Sequence, residues 1–145
     1  MAGMNEQDPR ALVMQHRELQ KRAEMIQQQM SMVKISADDC AKVLTTIEEL
    51  DNIEDGAEMM FPIGSGSFVY ANIDHTDKAV VDIGAGLSVE RPIADAKEIL
   101  QRRRERLTTA LDNMNNALLQ LGQQMQAIES FLNKLQQAQG QVGSQ

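Results

Sequence analysis

The sequence predicts a mainly α protein with a small β part: an antiparallel two-helix coiled-coil hairpin with two β-hairpins between the helices. Three observations predict it. Apolar residues recur every seven positions through the first third of the chain, and again through the last third. Between these stretches the period falls to two, and glycine-rich turns divide the run. Helices in a two-stranded coil present a seam residue every 3.5 positions, whereas strands alternate faces at every residue, so the change of period marks the change of element.

In the first helix one seam row is Leu12, Leu19, Ile26, Val33, Cys40 and Ile47, and the other is His16, Ala23, Met30, Ala37 and Leu44. No glycine or proline interrupts the pattern between Arg10 and Ile53. Pro9 precedes it, where a helix can begin, and Gly56 follows as a natural stop. The helix is therefore expected over residues 10–55. In the second helix the rows are Ile93, Leu100, Leu107, Met114, Leu121, Ile128 and Leu135, with Lys97, Arg104, Leu111, Leu118, Met125 and Leu132. This places a helix over residues 93–138 and leaves 139–145 as a flexible tail. Gly122 lies off the seam, where it costs about 1 kcal/mol. Each helix is roughly 65 Å long at 1.5 Å per residue, and neither can bury its stripe alone.

Residues 56–92 read as strands. Phe68, Tyr70 and Asn72 alternate with Val69, Ala71 and Ile73, the run Lys78–Ile83 is rich in β-branched residues, and Leu87–Arg91 alternates again. Turn residues separate them at Gly64-Ser65-Gly66, Asp74-His75-Thr76-Asp77 and Gly84-Ala85-Gly86, giving four short strands in two hairpins. Pro62 and Pro92 suit edge or terminal positions. The glycine triplets invite comparison with phosphate-cradling loops. A dinucleotide loop needs a further glycine three residues on, followed by a helix. Here those positions are Val69 and Val89, each inside a strand, and no GxxxxGK[ST] occurs. The triplets are expected to be turns, and no nucleotide or other cofactor is expected.

Antiparallel pairing sets the two rows against each other. Leu44 then meets Leu100, Val33 meets Leu111, Leu19 meets Met125, His16 meets Ile128 and Leu12 meets Leu132, while Ile47 faces Lys97 and Cys40 faces Arg104. A slip of one heptad in either direction keeps the same phase, so the sequence leaves that choice open. Isolated hairpins are marginal in water and their edges are open. The β segment is thus expected to be an assembly module pairing with the same segment of other subunits, through Phe68, Val69, Tyr70, Ile73, Val81, Ile83, Leu87 and Val89.

Composition narrows the function. At 145 residues the chain is one domain, 1–145, and with three Phe, one Tyr and no Trp it has few aromatic anchors for a round core. A hydrophobic share of 42% argues against a disordered chain. A net charge of −7 disfavours nucleic acid and anionic membranes as partners. The single cysteine, the lack of a long apolar run and the absence of a signal-peptide pattern lead to the expectation of a soluble cytoplasmic protein. Candidate chemistry is thin. His16 is a seam residue, Cys40 a small core side chain, and His75 sits in a turn beside Asp74 and Asp77. Asp38-Asp39, Glu48-Glu49 and the run Arg102-Arg103-Arg104 with Arg106 read as solvated helix faces. No catalytic constellation and no metal site are expected, so the chain is not read as an enzyme.

Long helix, the hairpins FPIGSGSFVYANI and KAVVDIGAGLSVERPI, then long helix: this arrangement resembles the alpha-type subunits of prefoldin, the co-chaperone of group II chaperonins. The resemblance covers nearly the whole chain. It implies a hexamer of two alpha and four beta subunits, in which the hairpins assemble into a β-barrel hub bearing six coiled-coil arms. It also implies an ATP-independent holdase that binds unfolded client proteins at the arm tips and delivers them to the chaperonin. Met4, Leu12, Val13, Met14, Phe131, Leu132, Leu135 and Val142 are the expected client-binding residues, with Met25 and Met32 exposed along the arm. Flexible methionines suit an adaptable surface of this kind. The alternative is a structural coiled-coil scaffold without chaperone activity.

Overall fold

A computed structural model describes residues 8–143, and the side chains of residues 8–140. Helix α1 is Pro9–Leu50, strands β1 to β4 are Glu58–Gly64, Ser67–Asn72, Lys78–Gly84 and Leu87–Pro92, and helix α2 is Ile93–Gly143. The strands form two separate antiparallel sheets, β1 with β2 and β3 with β4. No barrel closes within this one chain among the described residues.

Local chemistry sets the helix ends. The Asp8 carboxylate accepts the Arg10 backbone N–H at 3.0 Å, and Pro9 takes the first helical position, where a missing N–H costs nothing. The other end departs from the expected limit at residue 55, because α1 stops at Leu50. Its last carbonyls are taken by tightened bonds: Asp51 N–H to Glu48, Asn52 N–H to Glu49 and Ile53 N–H to Leu50. Gly56, expected to be the helix stop, serves the sheet instead. At φ 84° its N–H donates to the Ile73 carbonyl at 2.6 Å. Helix α2 also departs from expectation, since its backbone stays helical past residue 138 through Gly143. The run Gln136-Gln137-Ala138-Gln139 contains good helix formers, and Gly140 alone is too weak a breaker to end it.

Both hairpins turn in the same way. Gly64 pairs with Ser67, and the two residues between them, Ser65 and Gly66, have φ of 48° and 73°. Ala85 and Gly86 repeat this at 54° and 76°. Two left-handed central residues make a type I′ turn, whose twist matches that of the flanking strands. A register irregularity precedes each turn, between Pro62 and Gly64 and between Asp82 and Gly84. There the glycines take φ of 111° and 108°, a region that suits glycine.

The chain packs as two compact units. One is Ile35–Thr108, here the hairpin unit, and the other holds the described residues before Ile35 and after Thr108, here the terminal unit. In the hairpin unit Leu44, Ile47, Val81, Ile93, Ala96 and Leu100 form one buried cluster, with Leu50, Ala79 and Ile99 against it. The second hairpin therefore lays its Ala79 and Val81 face on the two helices. In the terminal unit Leu12, Leu19, Leu121 and Ile128 are buried together, with Ala23, Ile26, Met125, Phe131 and Leu132 around them. His16 Nε2 lies 2.8 Å from Glu129 Oε1. A heptad slip would have put His16 opposite Leu121 or Leu135, so this contact selects the register that sets His16 level with Ile128.

Every seam residue expected in α1 is buried or half-buried. In α2 the exception is Arg104, which is exposed, and the buried side chain near the hairpin is Ala96, at 0% exposure, rather than Lys97. A straight helix drifts about 20° per heptad against a strict seven-residue repeat, and α2 here faces a hairpin as well as a helix. Inward-facing positions therefore shift one step back, to Ala96 and Arg103. Lys97 is half-buried and pairs at its edge with Asp51 at 3.1 Å, while Arg103 donates to the backbone carbonyl of Asp82.

Candidate functional site

Two surfaces carry exposed apolar side chains. The first is the β1–β2 hairpin. Strand pairing sets Met59 against Ala71 and Phe61 against Val69 on one face, and Met60 against Tyr70 and Pro62 against Phe68 on the other. Both faces are thus apolar, and no residue of this hairpin belongs to either buried cluster. Tyr70 is 73% exposed, and Met60, Ile63 and Phe68 are each more than half exposed. The β3–β4 hairpin differs. Its Val81 is buried at 6%, while Val80, Ile83 and Leu87 face outward. Lys78 and Glu90 pair across this hairpin at 3.0 Å. The hydrogen bond and the charge of Glu90 raise the Lys78 ammonium above its usual range. With two strands per sheet, every strand is an edge with unpaired backbone groups.

Of the residues expected to assemble the protein, Phe68, Val69, Tyr70, Ile83 and Leu87 are exposed and available. Ile73 and Val89 are half-buried. Val81 is committed to the chain's own core and is not available to another chain while that packing holds. Met60, Phe61, Ile63 and Val80 are exposed and were not singled out by the sequence. The alternation Met60, Pro62 against Phe61, Ile63 is the signal that could have found the first three.

The second surface lies in the terminal unit. Leu12 is buried, Phe131, Leu132 and Leu135 are half-buried, and Val13 and Met14 are exposed. Met4 and the side chain of Val142 lie outside the described residues. Val13, His16, Arg17, Gln20, Glu129 and Leu132 line a shallow depression of about 250 Å³. Met25, Met32 and Leu119 are exposed in the same unit, and Ile35 and Val43 in the hairpin unit. Among the described residues no group of three or more His, Cys, Asp or Glu side chains is placed to hold a metal ion, and no helix is long and apolar enough to cross a membrane.

The family profile described as "Prefoldin subunit" matches residues 19–138. The chain belongs to the prefoldin family. Its curated relatives include prefoldin alpha subunits. The chain is 43% identical over 130 residues to prefoldin subunit alpha of Methanococcoides burtonii, covering 90% of this chain and 94% of that one. It is 45% identical over 140 residues to prefoldin subunit alpha of Methanosarcina barkeri, covering 94% and 97%. Among solved structures it is similar to filamentous PFD from Methanocaldococcus jannaschii, with a TM-score of 0.70 at 19% identity over 79% of this chain and 95% of that chain. That likeness shows the fold: two long helices with two small hairpins between them. Prefoldin is a chaperone family.

Proposed function

We propose that this chain is the alpha subunit of an ATP-independent holdase. Two copies join four beta subunits through the hairpins, and together the hairpins close a β-barrel hub. The coiled coils project as arms, bind non-native proteins near their tips, and deliver them to a group II chaperonin in the cytoplasm. Family membership supports this, joined to one observation: Leu12, in the first turn of α1, belongs to a buried cluster against which Leu132 of α2 packs, and Val13 and Met14, next to Leu12 in the chain, are exposed. Terminal turns are the least cooperative part of a helix pair, so apolar seam residues there open at the lowest cost. Each arm binds weakly, and several arms acting on one client give usable avidity.

Trimming tests the tip assignment. Removing residues 1–14 and 132–145, with the matching tips of the beta subunits, is expected to leave the hexamer intact by sedimentation while strongly reducing suppression of client aggregation. Full holding activity in the trimmed particle overturns the assignment. A coiled-coil scaffold without chaperone activity would suppress no aggregation even untrimmed.

A further inference from the structure

We propose that the outer edge of β2 pairs with the outer edge of β2 in a second copy of this chain, antiparallel about a two-fold axis through Tyr70. This pairing rests on the reading of the hairpins as the assembly surface, and it names the edge and its occupant. In an antiparallel ladder the backbone groups of alternate residues point to the paired strand, and those between point away. Ile73, just after β2, donates its N–H to the Ala57 carbonyl and accepts from the Gly56 N–H, so both its groups face the β1 side. Counting back by two along β2, Ala71, Val69 and Ser67 also face β1, while Asn72, Tyr70 and Phe68 face away. On β1 the residues opposite Ala71 and Val69 are Met59 and Phe61, so Glu58, Met60 and Pro62 form the outer edge. In the second hairpin the Ile93 N–H donates to the Asp77 carbonyl and sets the same alternation. Its outer edges are Lys78, Val80 and Asp82 on β3, and Ser88, Glu90 and Pro92 on β4.

These edges are not equal. Pro62 and Pro92 both stand at outward positions, so β1 and β4 each lack a donor there. On β3 the Asp82 carbonyl is taken by Arg103 of α2, and Val81 beside it packs on the helices. Among the described residues, β2 is the edge that keeps every outward N–H and carbonyl without a partner, because the Asn72 side chain bonds to the Gly56 carbonyl and leaves its own backbone groups free. Charge selects the occupant. Strand β2 has no charged residue, whereas β1 carries Glu58, β3 carries Lys78 and Asp82, and β4 carries Glu90 and Arg91. Copies of a chain with net charge −7 repel one another, so an uncharged edge is where two of them approach at least cost. The edge is also complementary to itself, as a two-fold contact requires. Antiparallel pairing sets Tyr70 against the second copy's Tyr70 and Phe68 against the second copy's Asn72, and each outward N–H meets an outward carbonyl. Phe68 and Tyr70 share one face and are 56% and 73% exposed, so their rings gather at the seam, where cross-strand aromatic pairs are stabilising. The contact uses the edge and leaves the faces of the sheet to other subunits.

Disulfide cross-linking of the full-length protein, produced alone and with a beta subunit, tests both the edge and the register. Tyr70→Cys sets two thiols across a hydrogen-bonded pair with Cα atoms about 5.5 Å apart, within reach of a disulfide. Mild oxidation is expected to link most copies into dimers on a non-reducing gel. Phe68→Cys alone is expected to link no more than the wild type, whose one cysteine is buried, because the pairing offsets the two thiols by about 13 Å along the strands. Phe68→Cys with Asn72→Cys keeps Tyr70 in place and is expected to link again. Tyr70→Pro removes the outward donor and spares the hairpin's own ladder, so self-association by sedimentation is expected to weaken about tenfold or more, with two backbone hydrogen bonds lost per pair. Equal linking through Phe68→Cys and Tyr70→Cys overturns the pairing, as does linking through Met60→Cys in place of Tyr70→Cys. An assembly that sediments intact yet links through neither Tyr70→Cys nor the double variant also overturns it, and leaves the hairpins standing as the assembly surface. Wild-type protein that stays monomeric even with the beta subunit removes both.

Discussion

Val81 and Tyr70 are both strand residues, yet substitutions at the two sites are expected to fail in different ways. Val81 sits among Leu44, Ile47, Ala96 and Leu100, so Val81→Asp buries a carboxylate without a partner. The cost is roughly 3 kcal/mol or more, and the hairpin unit should lose its cooperative melt. Tyr70 touches no buried cluster. Phe68→Asp with Tyr70→Asp should leave helicity and melting almost unchanged by circular dichroism while sedimentation shows smaller species. An intact hexamer in that double variant would move the assembly contacts away from the first hairpin. Lys78 offers a milder check. Its ammonium is held above the usual range by Glu90, so the stabilisation it brings is fully present below about pH 10.5 and fades as pH rises through the raised value. Melting temperatures across that range should fall less steeply in Glu90→Gln than in the wild type.

Glycine placement separates the elements that are constrained from those with slack. Ala85 holds a left-handed φ of 54° in its turn, where a Cβ is unfavourable. Ala85→Gly should therefore stabilise the second hairpin by about 0.5–1 kcal/mol, after allowing for the freer unfolded chain. Gly122 is the converse: it lies inside α2, and a Cβ added there would meet nothing within 4 Å. Gly122→Ala should raise stability by about 1 kcal/mol in thermal or denaturant melts. The helices, the hairpins and nearly all seam residues were legible in the sequence because burial imposes its period directly on residue type. The end of α1 was not. It depends on tightened bonds at Glu48, Glu49 and Leu50, and Gly56 was already engaged by the sheet. The shift from Lys97 to Ala96 was not legible either, since a heptad count assumes a helix as neighbour and cannot see a hairpin lying on α2. For the candidate site, strand alternation pointed to Phe68, Val69, Tyr70, Ile83 and Leu87. It could not tell which hairpin packs on its own helices, and that is why Val81 was assigned to assembly.

At the scale of the whole molecule, both glycine triplets are type I′ turns joining strands, and neither leads into a helix N-terminus where a phosphate could sit. Titration calorimetry with ATP is accordingly expected to give no binding heat, and a tight isotherm would require a different mechanism. The first hairpin has a further consequence. A two-stranded sheet that is apolar on both faces has no side suited to water. Under the proposed assembly, a chain made in excess of its partners keeps this sheet uncovered, and the residues proposed to join it to other subunits are expected to make the surplus copy insoluble or short-lived. Cells producing this subunit alone should accumulate less soluble protein than cells producing it with a matching beta subunit. Phe68→Asp with Tyr70→Asp should recover solubility for the solitary chain while forfeiting assembly. Under the proposed assembly, the exposed sheet is expected to tie the lifetime of each copy to the supply of its partners, so that subunit numbers would be balanced by survival as well as by synthesis.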